Sequence, residues 1–459
     1  MKRNVFERSA NRNNGNNVAN CNASGNLNNN NANNGNYCAP DCVARPESHG
    51  SPLASSPATQ RKEPPSRGAD LEQLRDGRAP GPRAGGASGL PIIDIEDVIG
   101  YDALLESALM CLQGVMWKGG VSWFYLHLEE QVGRLCDELH AGTYVPRPCG
   151  EFRITYPKPR KISATAFRDR VVQRSYNDRV IYPCMSRSWI YDNYACQKAK
   201  GTDFARNRMR CHLERHLRAH GMEGGIGVVD VRGYYDHMLH SVANARFAAK
   251  CPPWAAEFVR QTFEHQYSHD RRIKTNLRHD TLSWPGEGDR GFFAGSQLVQ
   301  IAGVDYLDPI DHFIKERLGI RGYGRYMDDL VLVHEDMDYL RDCQRAIAER
   351  MGRIGLEAHP RKTKIFPFGH TITFLGFDYS VRRGRVSMLV NPKKVKGQRR
   401  HIQALARLVR RGRMPPEDFL QSLACMLEHD GKGDSAELVF RMRDYGETLL
   451  CAALRDRSN

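Results

Sequence analysis

Apolar residues are sparse over the first ninety positions and become periodic only near Leu90. From Val98 to Leu139 they recur at helical spacing: Leu104, Leu105, Ala108, Leu109 and Leu112, then Phe124, Leu126, Leu128, Val132 and Leu135. This predicts two helices divided at Gly119-Gly120. A β-like segment, Glu151–Tyr156, leads into the basic loop Pro157–Lys161, and a further helix is expected over Phe167–Ile181. The run Ile226–Val231 fits a short buried strand, Gly324–Val333 a hairpin with a polar tip, and Thr371–Tyr379 another strand. From Lys393 onward the period is helical again. Ile402, Leu405, Leu408 and Val409 form one stripe; Pro415-Pro416 opens a second helix with Phe419, Leu420, Leu423 and Leu427 facing inward.

Composition explains why the pattern begins late. Sixteen of the first 36 residues are asparagine, which competes with its own backbone for hydrogen bonds. Residues 1–43 therefore read as a low-complexity tail and 44–90, rich in Pro, Gly, Ser and Arg, as a linker. A globular body is expected over 91–380, and a basic helical segment over 381–459.

Charge then narrows the partner. The net charge of +14 calls for a polyanion, and nucleic acid fits better than a membrane because no apolar stretch reaches 18 residues. A soluble, cytoplasmic protein with reduced thiols is expected. Cys38 and Cys42 have no second pair and no nearby histidine, so a zinc site there is not expected.

The chemistry-bearing pattern is Arg325-Tyr326-Met327-Asp328-Asp329-Leu330-Val331-Leu332-Val333: two adjacent acids between strand-forming flanks. Neighbours on a strand point to opposite faces, so a turn tip is where both acids can approach one site. A solvated Asp-Asp turn is the plain alternative, although hairpin tips favour Asn-Gly or Asp-Gly. A third acid, Asp230, ends the apolar run Val228-Val229 about a hundred residues earlier. Alone it reads equally as a strand-end cap. Together, three carboxylates from two strands and the backbone carbonyl of Val231 suit two divalent cations, Mg2+ or Mn2+, as nucleotidyl transfer requires.

These two segments resemble the palm motifs of reverse transcriptases, and the resemblance extends over roughly residues 100–445 in the right order. It implies an α+β right-hand polymerase with fingers, an antiparallel palm sheet and a helical thumb. It also implies RNA-directed DNA polymerase activity with Asp230, Asp328 and Asp329 catalytic and metal-binding. Tyr235, five residues after Asp230, matches the bulky residue that crowds the sugar 2′ position. Tyr156-Pro157-Lys158-Pro159-Arg160-Lys161 and Phe167-Arg168-Asp169-Arg170 resemble the fingers of bacterial members, making Lys158, Arg160 and Arg168 candidates for triphosphate binding. Tyr194–Thr202 matches a family segment near the nucleic-acid backbone. Lys362 matches a lysine able to protonate pyrophosphate, and Phe374-Leu375-Gly376 the primer-grip turn.

Gly291–Gln297 stands where the family has its nucleotide- and template-contacting loop. Most members end that loop in Ser-Pro; this chain ends it in Ser296-Gln297, as do the enzymes of diversity-generating retroelements. At Gly291 it lacks the glutamine of many relatives and departs even from the retroelement pattern. The asparagine-dense stretch Arg8–Asn17 resembles the template repeats of those elements read as protein, because asparagine codons begin with two adenines. The resemblance implies template RNA, a cDNA/RNA duplex, dNTPs and a basic accessory protein as partners. Retron, defence or intron-type enzymes, and a silent RNA-binding scaffold, are the competing readings. Nine Lys or Arg and no acid occupy Lys393–Arg413, as expected of a thumb helix along a duplex.

Overall fold

The computed structural model describes residues 93–458 apart from 148, 155–159, 268–289 and 293–294. The expectations for residues 1–43 and 44–90, and for Lys158, lie outside the described residues. Among the described residues no helix is long and apolar enough to cross a membrane.

The N-terminal part is helical: α1 (Tyr101–Leu112), α2 (Gly119–Leu126) and α3 (Leu128–His140) precede a hairpin of β1 (Gly150–Ile154) and β2 (Arg160–Ala164). Gly119-Gly120 does not divide the helices as expected; it opens α2, and the division falls at 113–118. Leu109 and Leu126 point outward, with Leu126 77% exposed. The helical stripe is therefore narrower than the apolar spacing suggests. α4 (Phe167–Tyr176) runs on through a π-turn at Asn177–Ile181.

The centre is a four-stranded antiparallel sheet in the order β4 (Gly322–Tyr326), β5 (Asp329–His334), β3 (Gly225–Asp230), β6 (Lys364–Pro367). β3 and β5 are almost wholly apolar because both faces are covered. Leu330 and Leu332 join Leu340 and Ile347 of α9 (Met337–Arg353), whereas Val331 and Val333 join Met209 and Leu213 of α5 (Thr202–His220). Alternate residues thus enter opposite cores, as the two-residue period of a strand requires. Between these elements lie α6 (His240–Lys250), α7 (Pro253–Tyr267) and α8 (Gln297–Tyr306).

The expected strand Thr371–Tyr379 is two strands, β7 (Ile372–Phe374) and β8 (Phe377–Arg382), continued by β9 (Arg385–Val390). Three helices close the chain: α10 (Pro392–Arg410), α11 (Pro416–Gly431) and α12 (Ala436–Ser458). They share a core of Ile402, Leu405, Val409, Phe419, Leu423 and Met442. Leu420, expected inside, is 46% exposed. Lys393, Lys396, Arg400 and Arg407 are exposed on the face of α10 opposite Ile402, Leu405 and Val409. With antiparallel palm sheet, helical thumb and fingers hairpin in place, the architecture is the right-hand polymerase fold.

One ion pair sits inside this core. Arg325 of β4 and Asp311 are both wholly buried. Arg325 Nε donates to Asp311 Oδ1 at 2.8 Å and Nη2 to Oδ2 at 2.6 Å, while Tyr323 Oη donates to Oδ1 at 2.6 Å. The guanidinium also reaches the carbonyls of Val304 and Met327, each at 2.8 Å. Burial disfavours the Arg325 charge, but Asp311 more than restores it, and the net shift is upward. Arg325→Met should cost about 3–5 kcal/mol, because it strands a buried carboxylate, and Arg325→Met with Asp311→Leu should recover much of that. Denaturant titration checks this; a single mutant within about 1 kcal/mol of wild type would contradict it.

Candidate active site

Asp230 is the last residue of β3 and Asp329 the first of β5, and they are direct cross-strand partners. Partnered side chains share a face about 5 Å apart, so two of the three expected acids face one another by register alone. Asp328 is the second residue of the two-residue β4–β5 turn, between partners Tyr326 and Asp329. Met327, the first turn residue, has φ +55°, the left-handed conformation that primed hairpin turns demand. A methionine there is strained by about 1–2 kcal/mol. Arg325 Nη1 holds the carbonyl of that residue, so the buried ion pair braces the tip carrying Asp328.

Like charges set opposite each other need a cation. Lys362 supplies one: its Nζ is 3.0 Å from both carboxylate oxygens of Asp230. The loop bearing it is tied to the same strand end. His359 N donates to the Asp230 carbonyl at 2.7 Å, Val231 bridges Ala358, and Arg232 N donates to Glu357 O at 2.9 Å. The donor chemistry, carboxylate and carbonyl oxygens only, suits Mg2+ or Mn2+. Among the described residues no three His, Cys, Asp or Glu side chains already close on one point. Magnesium sites commonly complete their shell with water and substrate phosphates.

Tyr235 stands beside the turn, its Oη 4.0 Å from Met327 Sδ. Burial raises its pKa, so the hydroxyl stays protonated. Its ring fits because residue 303 is glycine: a Cβ there would lie 2.9 Å from Tyr235 Oη. Gly303 is in mid-helix in α8, where glycine costs about 1 kcal/mol. That unfavourable placement was a signal in the sequence, and sequence reasoning passed over it.

The loop before α8 meets the same tyrosine. Phe292 N donates to Tyr235 O at 2.8 Å and Gly291 N to Met238 O at 2.7 Å; His240 Nε2 donates to Gly291 O at 2.8 Å. Gly291 has φ +94°, so glutamine could not stand there without backbone strain. Ser296 is buried, and its Oγ donates to Gln173 Oε1 of α4 at 2.9 Å. Gln297 is the first residue of α8, and its buried Oε1 has no hydrogen-bond partner among the described residues.

Two further expected residues lie on β2 and α4. Arg160 opens β2 opposite Ile154. Arg168 pairs with Glu138, lies 3.5 Å from Asp169 and packs over the ring of Tyr144, with its side chain 15% exposed. Its charge is already met, so it braces α4 rather than facing the carboxylates. Phe374 is buried at the end of β7, and Leu375 and Gly376 form a tight turn with φ +46° and +84°. Arg206 of α5, not anticipated from sequence, donates to the Leu375 carbonyl through Nη2 at 3.2 Å.

Residues 155–379 match the family described as reverse transcriptase (RNA-dependent DNA polymerase). No curated protein matches significantly. Among solved structures, telomerase from Candida albicans bound to a TWJ fragment of telomeric RNA is similar at 12% identity and a TM-score of 0.37. The similarity covers 69% of this chain and 61% of the telomerase chain. The match to the reverse transcriptase family thus spans just under half of the chain and includes Asp230, Asp328 and Asp329.

Proposed function

We propose that this polymerase makes cDNA from the RNA of a diversity-generating retroelement in the cytoplasm, with errors concentrated at template adenines. The observation that carries the catalytic part is the Asp230–Asp329 cross-strand pair with Asp328 on the adjoining turn. Asp230, Asp328, Asp329 and the Val231 carbonyl hold the metals. Two divalent ions, when bound there, activate the primer hydroxyl and steady the departing pyrophosphate. Lys362 carries a proton at Nζ for that leaving group. Lys158 and Arg160 contact the triphosphate, and Arg168 braces α4 through Glu138. Tyr235 occupies the space of a 2′-hydroxyl, Gln297 contacts the incoming nucleotide with Ser296 anchoring the loop end on Gln173, and Phe374-Leu375-Gly376 grips the primer end. Lys393, Lys396, Arg400 and Arg407 follow the duplex backbone. A basic accessory protein completes the assembly.

The retroelement reading rests on Ser296-Gln297 and the asparagine-dense opening. Proline is favoured at the first position of a helix, which is where Gln297 stands. The Ser-Pro ending of other family members would therefore stiffen the loop into the helix. Glutamine leaves it less constrained and adds an acceptor that has no partner among the described residues. A retron, defence or intron-type enzyme is the alternative that shares the same catalytic centre.

Asp230→Asn and Asp328→Asn should each reduce metal-dependent primer extension about a thousandfold while RNA binding stays near wild type. Extension by either mutant at wild-type rate would remove the carboxylates from the reaction. Tyr235→Ala should admit ribonucleotides, read as the ratio of kcat/KM for dNTP over rNTP; an unchanged ratio would leave the ring a packing residue. Gln297→Pro should lower misincorporation several-fold, the effect of about 1 kcal/mol in discrimination. Deep sequencing of cDNA made on the cognate RNA, with its accessory protein, reads this. Errors spread evenly over four template bases would leave a reverse transcriptase of another kind.

A further inference from the structure

The Leu375–Gly376 turn, the start of β8 and the thumb helices meet at one buried cation. Arg206 is 5% exposed, yet its guanidinium serves three partners. Nε and Nη2 both donate to the Leu375 carbonyl, at 3.4 and 3.2 Å. Nη2 also lies 3.0 Å from Nε2 of His429 in α11, and Nη1 donates to Asp203 at 2.6 Å. The guanidinium packs 4.8 Å from the centre of the Phe377 ring, and His429 stacks on that same ring at 5.3 Å with a 10° tilt. A guanidinium only donates, so the contact with Arg206 uses His429 Nε2 as acceptor, and Asp430 Oδ1 lies 3.3 Å from Nδ1. The Lys394 ammonium of α10 lies beside the ring, 2.8 Å from Nδ1.

We propose that Arg206 is a positioning residue that fastens the Leu375–Gly376 turn to the thumb, so that the primer end and the duplex move as one body. The proposal rests on the reading of that turn as the primer grip. Three observations favour it over simple packing. The carbonyl that Arg206 holds belongs to a leucine at φ +46°, a conformation that lasts only where its surroundings enforce it. The same guanidinium then touches a residue more than two hundred positions away, on the element that bears the thumb. The ion pairs that link α5 to the thumb beside it, Arg210–Asp434 and Lys432–Asp203, are substantially exposed and thus weak, and the hydrogen bonds of Met388 and Val390 to Asp434 and Ser435 hold β9 rather than the turn. A planar fork serves a carbonyl and a ring nitrogen together; a lysine has no such fixed geometry.

The test uses the full chain with an annealed RNA template and DNA primer. Arg206→Met should lower kcat for the first nucleotide added about tenfold, with the KM for dNTP within about twofold. Arg206→Lys should restore much of the first addition but not product length in the presence of a trap. His429→Phe, which keeps the ring on Phe377 but removes the acceptor, should leave the first addition near wild type and shorten trapped products several-fold. Arg206→Met that melts like wild type with unchanged kcat and product length overturns the proposal. So does a loss in Arg206→Met that His429→Phe does not share in product length. Gly376→Val, strained at φ +84°, tests the underlying reading: unchanged primer extension would show that the turn does not hold the primer, whatever Arg206 does.

Discussion

Burying a guanidinium and a carboxylate together makes sense only if they are needed where they are, because removing two charges from water is expensive. Arg325 and Asp311 show what the position provides. The arginine stands one residue before Tyr326-Met327-Asp328-Asp329, and its fork reaches the carbonyls of Val304, in α8, and Met327, in the turn. Its own backbone is held too: Arg325 N donates to Asp192 O at 2.9 Å, and Tyr194 N donates to Arg325 O at 3.0 Å. A single side chain thus connects the acid-bearing hairpin, the helix that accommodates Tyr235, and the segment leading toward α5. The strained φ at Met327 persists because the surroundings determine it.

From that brace the electrostatics follow. Strand register sets Asp230 and Asp329 opposite each other whether or not a cation is near. The sheet is covered on both faces, so the strand ends that carry these carboxylates are fixed relative to each other. Lys362, on a loop hydrogen-bonded to the Asp230 backbone, supplies positive charge to one of them. The lysine side chain is largely exposed and Asp230 largely not, so the mobile partner is the ammonium.

The parts legible in the sequence were those coded locally. The apolar runs around Asp230 and Asp328-Asp329 announced strands, and the adjacent acids announced a turn. The basic face of α10 was visible because charge and apolar residues alternate at helical spacing. What escaped was coded at long range or by exposure. Leu109, Leu126 and Leu420 continue apolar stripes yet face outward, because spacing fixes a side chain's direction but not what covers it. Gly119-Gly120 looked like a break because glycine disfavours helix interiors, but at a helix start that cost is small. Gln173 and Arg206 find their partners more than a hundred residues away, and nothing near them in the chain signals it.

The loop ending in Ser296-Gln297 joins these strands of argument. Its start is pinned by Gly291 and Phe292 against the segment after Asp230, and its end by Ser296 against α4. Both anchors rest on backbone or buried side chains, so the loop is positioned without help from residue 297. The choice at 297 is therefore open to specialisation. Proline there would lock the backbone and carry no polar group; glutamine carries a buried acceptor at the helix start that no described residue answers. An unpaired buried acceptor costs about 1–3 kcal/mol. On the proposed reading of Gln297 as a nucleotide contact, a base edge that donates to its Oε1 relieves that cost, which rewards hydrogen-bond capacity rather than base-pair shape. A site built on shape rejects mispairs; one rewarded for a donor tolerates them.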